Sequence, residues 1–125
     1  MNIDQVLKKI NKRTLGIFIT HAQGFNGLND KLLKAINKKK IYLIEDVCES
    51  HGATYKNKKL GTFGLMSNFS FYYAHHMTTI EGGMISTNNK EIYELSKIFR
   101  SHGMARESKN KIFENKLIKK FKNLS

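Results

Sequence analysis

The side chains best suited to chemistry lie in two segments. One is Ser70-Phe71-Tyr72-Tyr73-Ala74-His75-His76-Met77-Thr78-Thr79-Ile80-Glu81-Gly82-Gly83. The other is Glu45-Asp46-Val47-Cys48-Glu49-Ser50-His51-Gly52-Ala53. In the first, His75 carries an imidazole, a side chain able to exchange a proton near physiological pH. It can therefore accept and return a proton as a general base, or it can be a structural histidine. Ser70 means nothing as a lone strand serine; its interest is that it stands five residues before His75. In the second segment, Asp46 falls at the carboxyl end of a predicted parallel strand, where such sheets bind ligands. The bland alternative is a carboxylate capping the following turn. Cys48 suits a small buried position. Five histidines and Cys48 raise the question of a metal. No C-x-x-C or H-x-x-x-H spacing is present, and adjacent His75 and His76 on a strand would point to opposite faces, so no metal centre is expected.

Alternating elements must position these groups. Met1 to Arg13 has Ile3, Val6, Leu7 and Ile10 on one helical face. Leu15 to Thr20 is a short apolar, β-branched run, predicted as a buried strand. His21 to Leu28, with two glycines and an asparagine, is a loop. Asn29 or Asp30 caps a helix to about Lys39, with Leu32, Leu33 and Ile36 inward. Ile41 to Ile44 is a second buried strand. Two short strands, apolar throughout, suit a parallel sheet covered on both faces. Their strand–helix–strand order is a βαβ unit. Thr54 to Phe63 is a turn or hairpin. Asn68 to Tyr73 and Met84 to Thr87 are two more strands. Lys90 to Arg100 has Ile92, Leu95, Ile98 and Phe99 at helical spacing and is closed by Gly103. From Met104 onward the chain is lysine-rich, with Ile112, Phe113, Leu117, Ile118 and Phe121 at looser helical spacing.

Composition bounds the possibilities. A chain of 125 residues with 40% hydrophobic content fits one average domain, although proline is absent. No apolar run reaches the ~18 residues of a membrane span. Met1 to Lys12 lacks an apolar core and a small-residue cleavage site, so no signal peptide is expected. A single cysteine excludes an internal disulfide framework and suits a reducing cytoplasm. The net charge of +12 raises the possibility of nucleic-acid binding. The cations are nearly all dispersed lysines, without interleaved aromatic platforms or the arginines that read bases. A solvated lysine-rich surface is expected, with neither nucleic acid nor membrane as partner.

The two chemical segments, Gly61-Thr62-Phe63-Gly64 and Arg100-Ser101-His102-Gly103, together resemble the DegT-type sugar aminotransferases. The family patterns are E-D-x-A-Q-x-x-G-A, then S-F-x-x-x-K-x-x-x-x-x-E-G-G, then R-x-H-G. Their order and spacing agree from Met1 to about Arg106. Here His75 stands at the family lysine and Glu49 at its glutamine. That pair resembles the 3-dehydratase branch, which carries His-His in place of the lysine. The resemblance implies an α/β fold: part of the large pyridoxal phosphate domain of a fold-type I aminotransferase, a mainly parallel sheet with flanking helices. Residues 1–125 would be an incomplete central portion of that domain, with no second domain, and inactive alone.

The resemblance also implies roles. The cofactor would be pyridoxamine phosphate or pyridoxal phosphate, held without a covalent link, because an imidazole cannot take lysine's place in a Schiff base. Asp46 would face the pyridine nitrogen, Glu49 the ring hydroxyl and Cys48 the ring face. Ser70 would donate to the phosphate, and His75 would be the general base. The substrate would be a nucleotide-linked 4-keto-6-deoxy sugar, losing its C3 hydroxyl in deoxysugar and surface-polysaccharide synthesis. An amino donor such as glutamate would restore the amine form, and the complete protein would be a homodimer. One subtype of the branch works with an iron–sulfur cluster; its cysteines would lie beyond this chain, so Cys48 does not decide the subtype. The alternatives are a sugar-nucleotide aminotransferase that has lost its lysine, or a remnant without catalysis.

Overall fold

The computed structural model describes residues 1–108 and 110–121 and divides into two compact units, Met1–Ser86 and Thr87–Ser125. Among the described residues no helix is long and apolar enough to cross a membrane.

The first unit opens with helix α1, Ile3–Lys9, capped by the Asn2 side chain on the Gln5 amide. It ends four residues before the predicted Arg13. Asn11 folds the chain into a local turn instead, accepting the Arg13 amide at 2.9 Å while its own amide bonds Thr14 Oγ1 at 3.1 Å. Asparagine competes with the helix in just this way. Strand β1, Gly16–Thr20, leads through a short 3-10 turn to α2, Asp30–Lys39, and then to β2, Tyr42–Asp46. This is the expected βαβ unit. Asn29 caps α2 by accepting the Leu32 amide at 2.8 Å, and the left-handed Lys40 ends it. Leu32 and Ile36 bury their side chains against Ile19, Leu43, Val47, Leu28 and Leu60.

A hairpin follows, β3 (Thr54–Tyr55) and β4 (Lys58–Lys59), turning at Lys56 and Asn57 with φ of 49° and 62°. Two successive positive φ values define the turn type that matches strand twist. Strand β5 is Met66–Ser70 and β6 is Gly83–Ser86. The sheet order is β1-β2-β5-β6, with the first three parallel and β6 antiparallel to β5. The sheet is thus mainly parallel with one reversed edge. The reversal is made by the Phe71–Gly82 connection, whose two ends are joined by the Phe71 amide on Gly82 O at 2.8 Å, so the chain returns beside β5.

Two expectations about the strands are corrected. β5 starts two residues earlier than predicted and stops at Ser70, so His75 and His76 sit in a turn and not on a strand. β1 and β2 bury one face only: Ile19 and Leu43 are enclosed, whereas Phe18 and Tyr42 remain 60% and 57% exposed. The helices of this unit cover the face that carries Ile19, Leu43 and Val47.

In the second unit, helix α3 spans Lys90–Arg100, as predicted, with Asn89 accepting the Ile92 amide. Gly103, at φ 83°, donates its amide to Ile98 O at 2.9 Å and closes the helix. Phe99, one of the residues at helical spacing, is 73% exposed. Glu94 takes an interior position, paired with Lys97 at 2.8 Å and accepting the Ser108 hydroxyl at 2.9 Å. Helix α4, Lys111–Phe121, buries Phe113 and starts where Asn110 accepts the Phe113 amide.

Candidate active site

Strand alternation separates neighbouring acids at the end of β2. Glu45 points into the covered face and is fully buried, while Asp46 points to the open face. Their different surroundings give them different work.

Glu45 is a structural hub. Its Oε1 accepts the amides of Phe63 and Gly64, each at 2.7 Å. Its Oε2 accepts the Gly61 amide at 2.8 Å and faces His21 Nε2 at 3.2 Å. His21 Nδ1 accepts the Gly27 amide at 3.1 Å, so the ring proton lies on Nε2 and is donated to Glu45. Burial by itself would raise the Glu45 pKa; the bonds from His21, Gly61, Gly64 and Phe63 outweigh it and hold the carboxyl below its ordinary value. The loop from Gly61 to Gly64 is thereby tied to the sheet. A side chain at Gly64 would meet the Leu43 carbonyl at 2.4 Å, which only glycine avoids.

Asp46 lies in a row across three strands. The register pairs Thr20 with Asp46 and Asp46 with Asn68. Asp46 Oδ2 accepts the Thr20 hydroxyl at 3.2 Å. Oδ1 accepts the Cys48 amide at 3.1 Å and Asn68 Nδ2 at 3.0 Å. Burial again opposes ionisation, and the bonds from Cys48, Thr20 and Asn68 overcome it, so the Asp46 pKa falls below its ordinary value. The turn-capping alternative is also realised, since the Cys48 amide is one of the donors. Cys48 lies half-buried beside the carboxylate, its Sγ 3.1 Å from Asn68 Nδ2. Burial and the Asp46 charge push its thiol up to about 11.

Glu49 and His75 meet at a cavity of about 310 Å³, lined also by Gln23, Ala74 and His76. Glu49 Oε2 accepts the Gln23 amide at 2.9 Å and holds that residue at φ 52°. His75 sits in a tight turn whose amide bonds Tyr72 O at 3.0 Å. Its Nδ1 is buried and has no hydrogen-bond partner. The base of its loop is closed by Phe71 N to Gly82 O at 2.8 Å and Thr79 N to Phe71 O at 2.9 Å. His51 braces the loop: its ring lies 5.5 Å from Phe69, 6.2 Å from Phe71 and 5.7 Å from His76. Burial, then His76 and His75, lower its pKa and keep it neutral. Ser70 ends β5, accepting the Tyr72 amide at 3.3 Å and leaving its own proton for another acceptor.

The structure therefore gathers Glu49 and His75 at one cavity and Asp46 and Cys48 in one bonded cluster, with Ser70 two residues along β5 from Asn68. Sequence reasoning missed Thr20, Asn68, Gln23 and His51. The first two become neighbours of Asp46 through strand register, which no local pattern encodes.

The fold is that of the fold-type I pyridoxal phosphate enzymes, a mostly parallel sheet with helices. The chain belongs to the DegT/DnrJ/EryC1/StrS aminotransferase family, whose profile matches residues 1–122. It is 40% identical over 114 residues to GDP-4-keto-6-deoxy-D-mannose 3-dehydratase of Escherichia coli O55:H7, covering 90% of this chain and 29% of that protein. A crystal structure of GDP-4-keto-6-deoxymannose-3-dehydratase with a trapped PLP-glutamate geminal diamine superposes with a TM-score of 0.78 at 41% identity, covering 85% of this chain and 28% of that one. The Helicobacter pylori aminotransferase of pseudoaminic acid biosynthesis gives 0.72 at 38% identity, covering 77% and 26%. The chain thus spans less than a third of the length of these relatives.

The residues present fit a pyridoxal-type cofactor. Asp46 offers a carboxylate to a protonated ring nitrogen, and His75 and Glu49 line one cavity. No lysine occupies position 75 to anchor the cofactor covalently.

Proposed function

We propose that residues 1–125 are the central portion of the large domain of a pyridoxamine phosphate-dependent 3-dehydratase. Its substrate is a nucleotide-linked 4-keto-6-deoxyhexose, and its place is deoxysugar and surface-polysaccharide synthesis in the cytoplasm. One observation carries this: the residue at the family's lysine position is His75, which lines a cavity together with Glu49.

Pyridoxamine phosphate supplies an amine for the sugar's keto carbon and a ring that takes up the electrons released when its methylene carbon loses a proton. His75 accepts that proton, since a neutral imidazole is a competent base at neutral pH. The C3 hydroxyl leaves as water, taking up the proton that His75 accepted and restoring the neutral imidazole. Asp46, held ionised, keeps the ring nitrogen protonated. Ser70 donates its hydroxyl to the phosphate, Glu49 lies by the ring hydroxyl, and Cys48 packs on the ring face as a neutral thiol. Glutamate is the amino donor, and the complete protein is a homodimer. An aminotransferase is the weaker alternative, because its lysine has no counterpart here.

The test has two parts. The chain is incubated with pyridoxal phosphate, reduced with borohydride and mapped by mass spectrometry. No label is expected at position 75 in the parent chain, and a label is expected in His75→Lys. In the full-length protein, loss of the C3 hydroxyl from GDP-4-keto-6-deoxymannose is followed with glutamate present, and His75→Asn abolishes it. Undiminished elimination by His75→Asn, or no elimination by the parent protein, overturns the proposal.

A further inference from the structure

We propose that Asn68 is the positioning residue for Asp46, clamping Oδ1 and so fixing the orientation of the carboxylate offered to a ring nitrogen. The identity of the group that meets the carboxylate rests on the functional reading above; the clamp itself does not.

The geometry begins with register. Thr20, Asp46 and Asn68 are direct partners on three parallel strands and so project from one face of the sheet. A carboxylate oxygen has about two acceptor sites. Both sites of Oδ1 are taken, by the Cys48 amide at 3.1 Å and Asn68 Nδ2 at 3.0 Å. Oδ2 accepts the Thr20 hydroxyl at 3.2 Å, and the protonated Cys48 thiol is a further donor to the carboxylate. The carboxylate is thus held from three sides, by Thr20, Cys48 and Asn68.

The orientation of the Asn68 amide is dictated by charge. Turned over, its oxygen would face the Asp46 carboxylate oxygen at the same 3.0 Å, setting two acceptors against each other. Its present orientation leaves Asn68 Oδ1 buried without a hydrogen-bond partner. A stranded buried oxygen destabilises a fold, and an apolar residue at this position would avoid it. Asn68 is therefore poorly explained by packing and well explained by what it does to Asp46. No cation is among the groups bonded to Asp46: Thr20 and Asn68 are uncharged, and the Cys48 thiol stays protonated up to about 11. Hydrogen bonds, not an ion pair, keep this carboxylate ionised. An ionised carboxylate that resists protonation leaves the shared proton on the ring nitrogen, where it draws electrons.

The experiment uses the 125-residue chain, with Asn68→Leu and the isosteric Asn68→Asp, both checked for folding by circular dichroism. The Asp46 carboxyl is titrated by carbon-13 NMR. In Asn68→Leu its midpoint should rise by about one pH unit, the shift that loss of one charge-assisted hydrogen bond produces. In Asn68→Asp the two carboxylates titrate as a pair and the upper midpoint rises further, so either variant suffices if the other does not fold. A packing role alone would leave the midpoint in place. Binding of pyridoxamine phosphate by the full-length protein, read by its fluorescence, should weaken about tenfold in Asn68→Leu. An unchanged Asp46 midpoint overturns the proposal. A raised midpoint with no binding of pyridoxamine phosphate by the full-length protein upholds Asn68 as the positioning residue and sinks the cofactor reading instead.

Discussion

Replacing Glu45 by glutamine tests the buried hub that lies next to the site. Each Glu45 oxygen accepts from two donors: Phe63 and Gly64 on Oε1, Gly61 and His21 on Oε2. A glutamine must turn its NH2 toward one of those pairs. His21 cannot rescue the arrangement by accepting at Nε2, because its Nδ1 already accepts from Gly27 and a neutral imidazole carries one proton. Two buried donors therefore lose their acceptor whichever way the amide is placed. At about 1–3 kcal/mol for each stranded group, the loss is about 2–6 kcal/mol. A domain of this size has roughly 5–15 kcal/mol in all. Urea unfolding followed by circular dichroism should show a midpoint shifted far down, or a chain unfolded without denaturant.

The pH dependence has a definite sign. The folded pKa of Glu45 lies below its reference value of 4.5. Its contribution is therefore fully present above about pH 4.5 and lost as pH falls through the lower folded value. Glutamine does not titrate, so the variant should lack that part of the acid limb. A loss of less than about 1 kcal/mol, or an acid limb identical to the parent's, would refute the account of Glu45 as the hub.

Three other outcomes follow from the same structure. Leu32→Ala should lose about 2–5 kcal/mol in chemical denaturation, because Leu32 is fully enclosed by the core between α2 and the sheet. Ile80→Gly should raise the melting temperature, by a stabilisation of up to about 1–2 kcal/mol; a β-branched residue at φ 72° is strained, and Ile80 is 76% exposed, so little packing is lost. Cys48, with its thiol pushed up to about 11, should react with iodoacetamide at pH 8 roughly a hundredfold more slowly than a free thiol; Asp46→Asn should speed it, and equal rates would count against the Asp46–Cys48 contact.

Much of the fold was legible because local chemistry decides it. The Asn29 cap and the Leu32 and Ile36 stripe specify α2 wherever the helix sits. Asn89 and Gly103 likewise delimit α3. Where prediction failed, a nonlocal or competing interaction won. Asn11 drew the backbone out of α1 into its own turn. Phe99 satisfied a helical period yet fell outside the buried stripe, which runs through Glu94 and Ile98.

The site divides in the same way. The resemblance to the family patterns was enough to single out Asp46, Cys48, Glu49, Ser70 and His75 and to mark His75 as standing at the family's lysine. That Glu45 and Asp46 face opposite ways, and that Thr20 and Asn68 flank the second of them, was decided only by the pairing of β1, β2 and β5. The physical reason is that residue type is a property of the chain, whereas a hydrogen bond between residues 22 or 26 positions apart exists only once strands are in register.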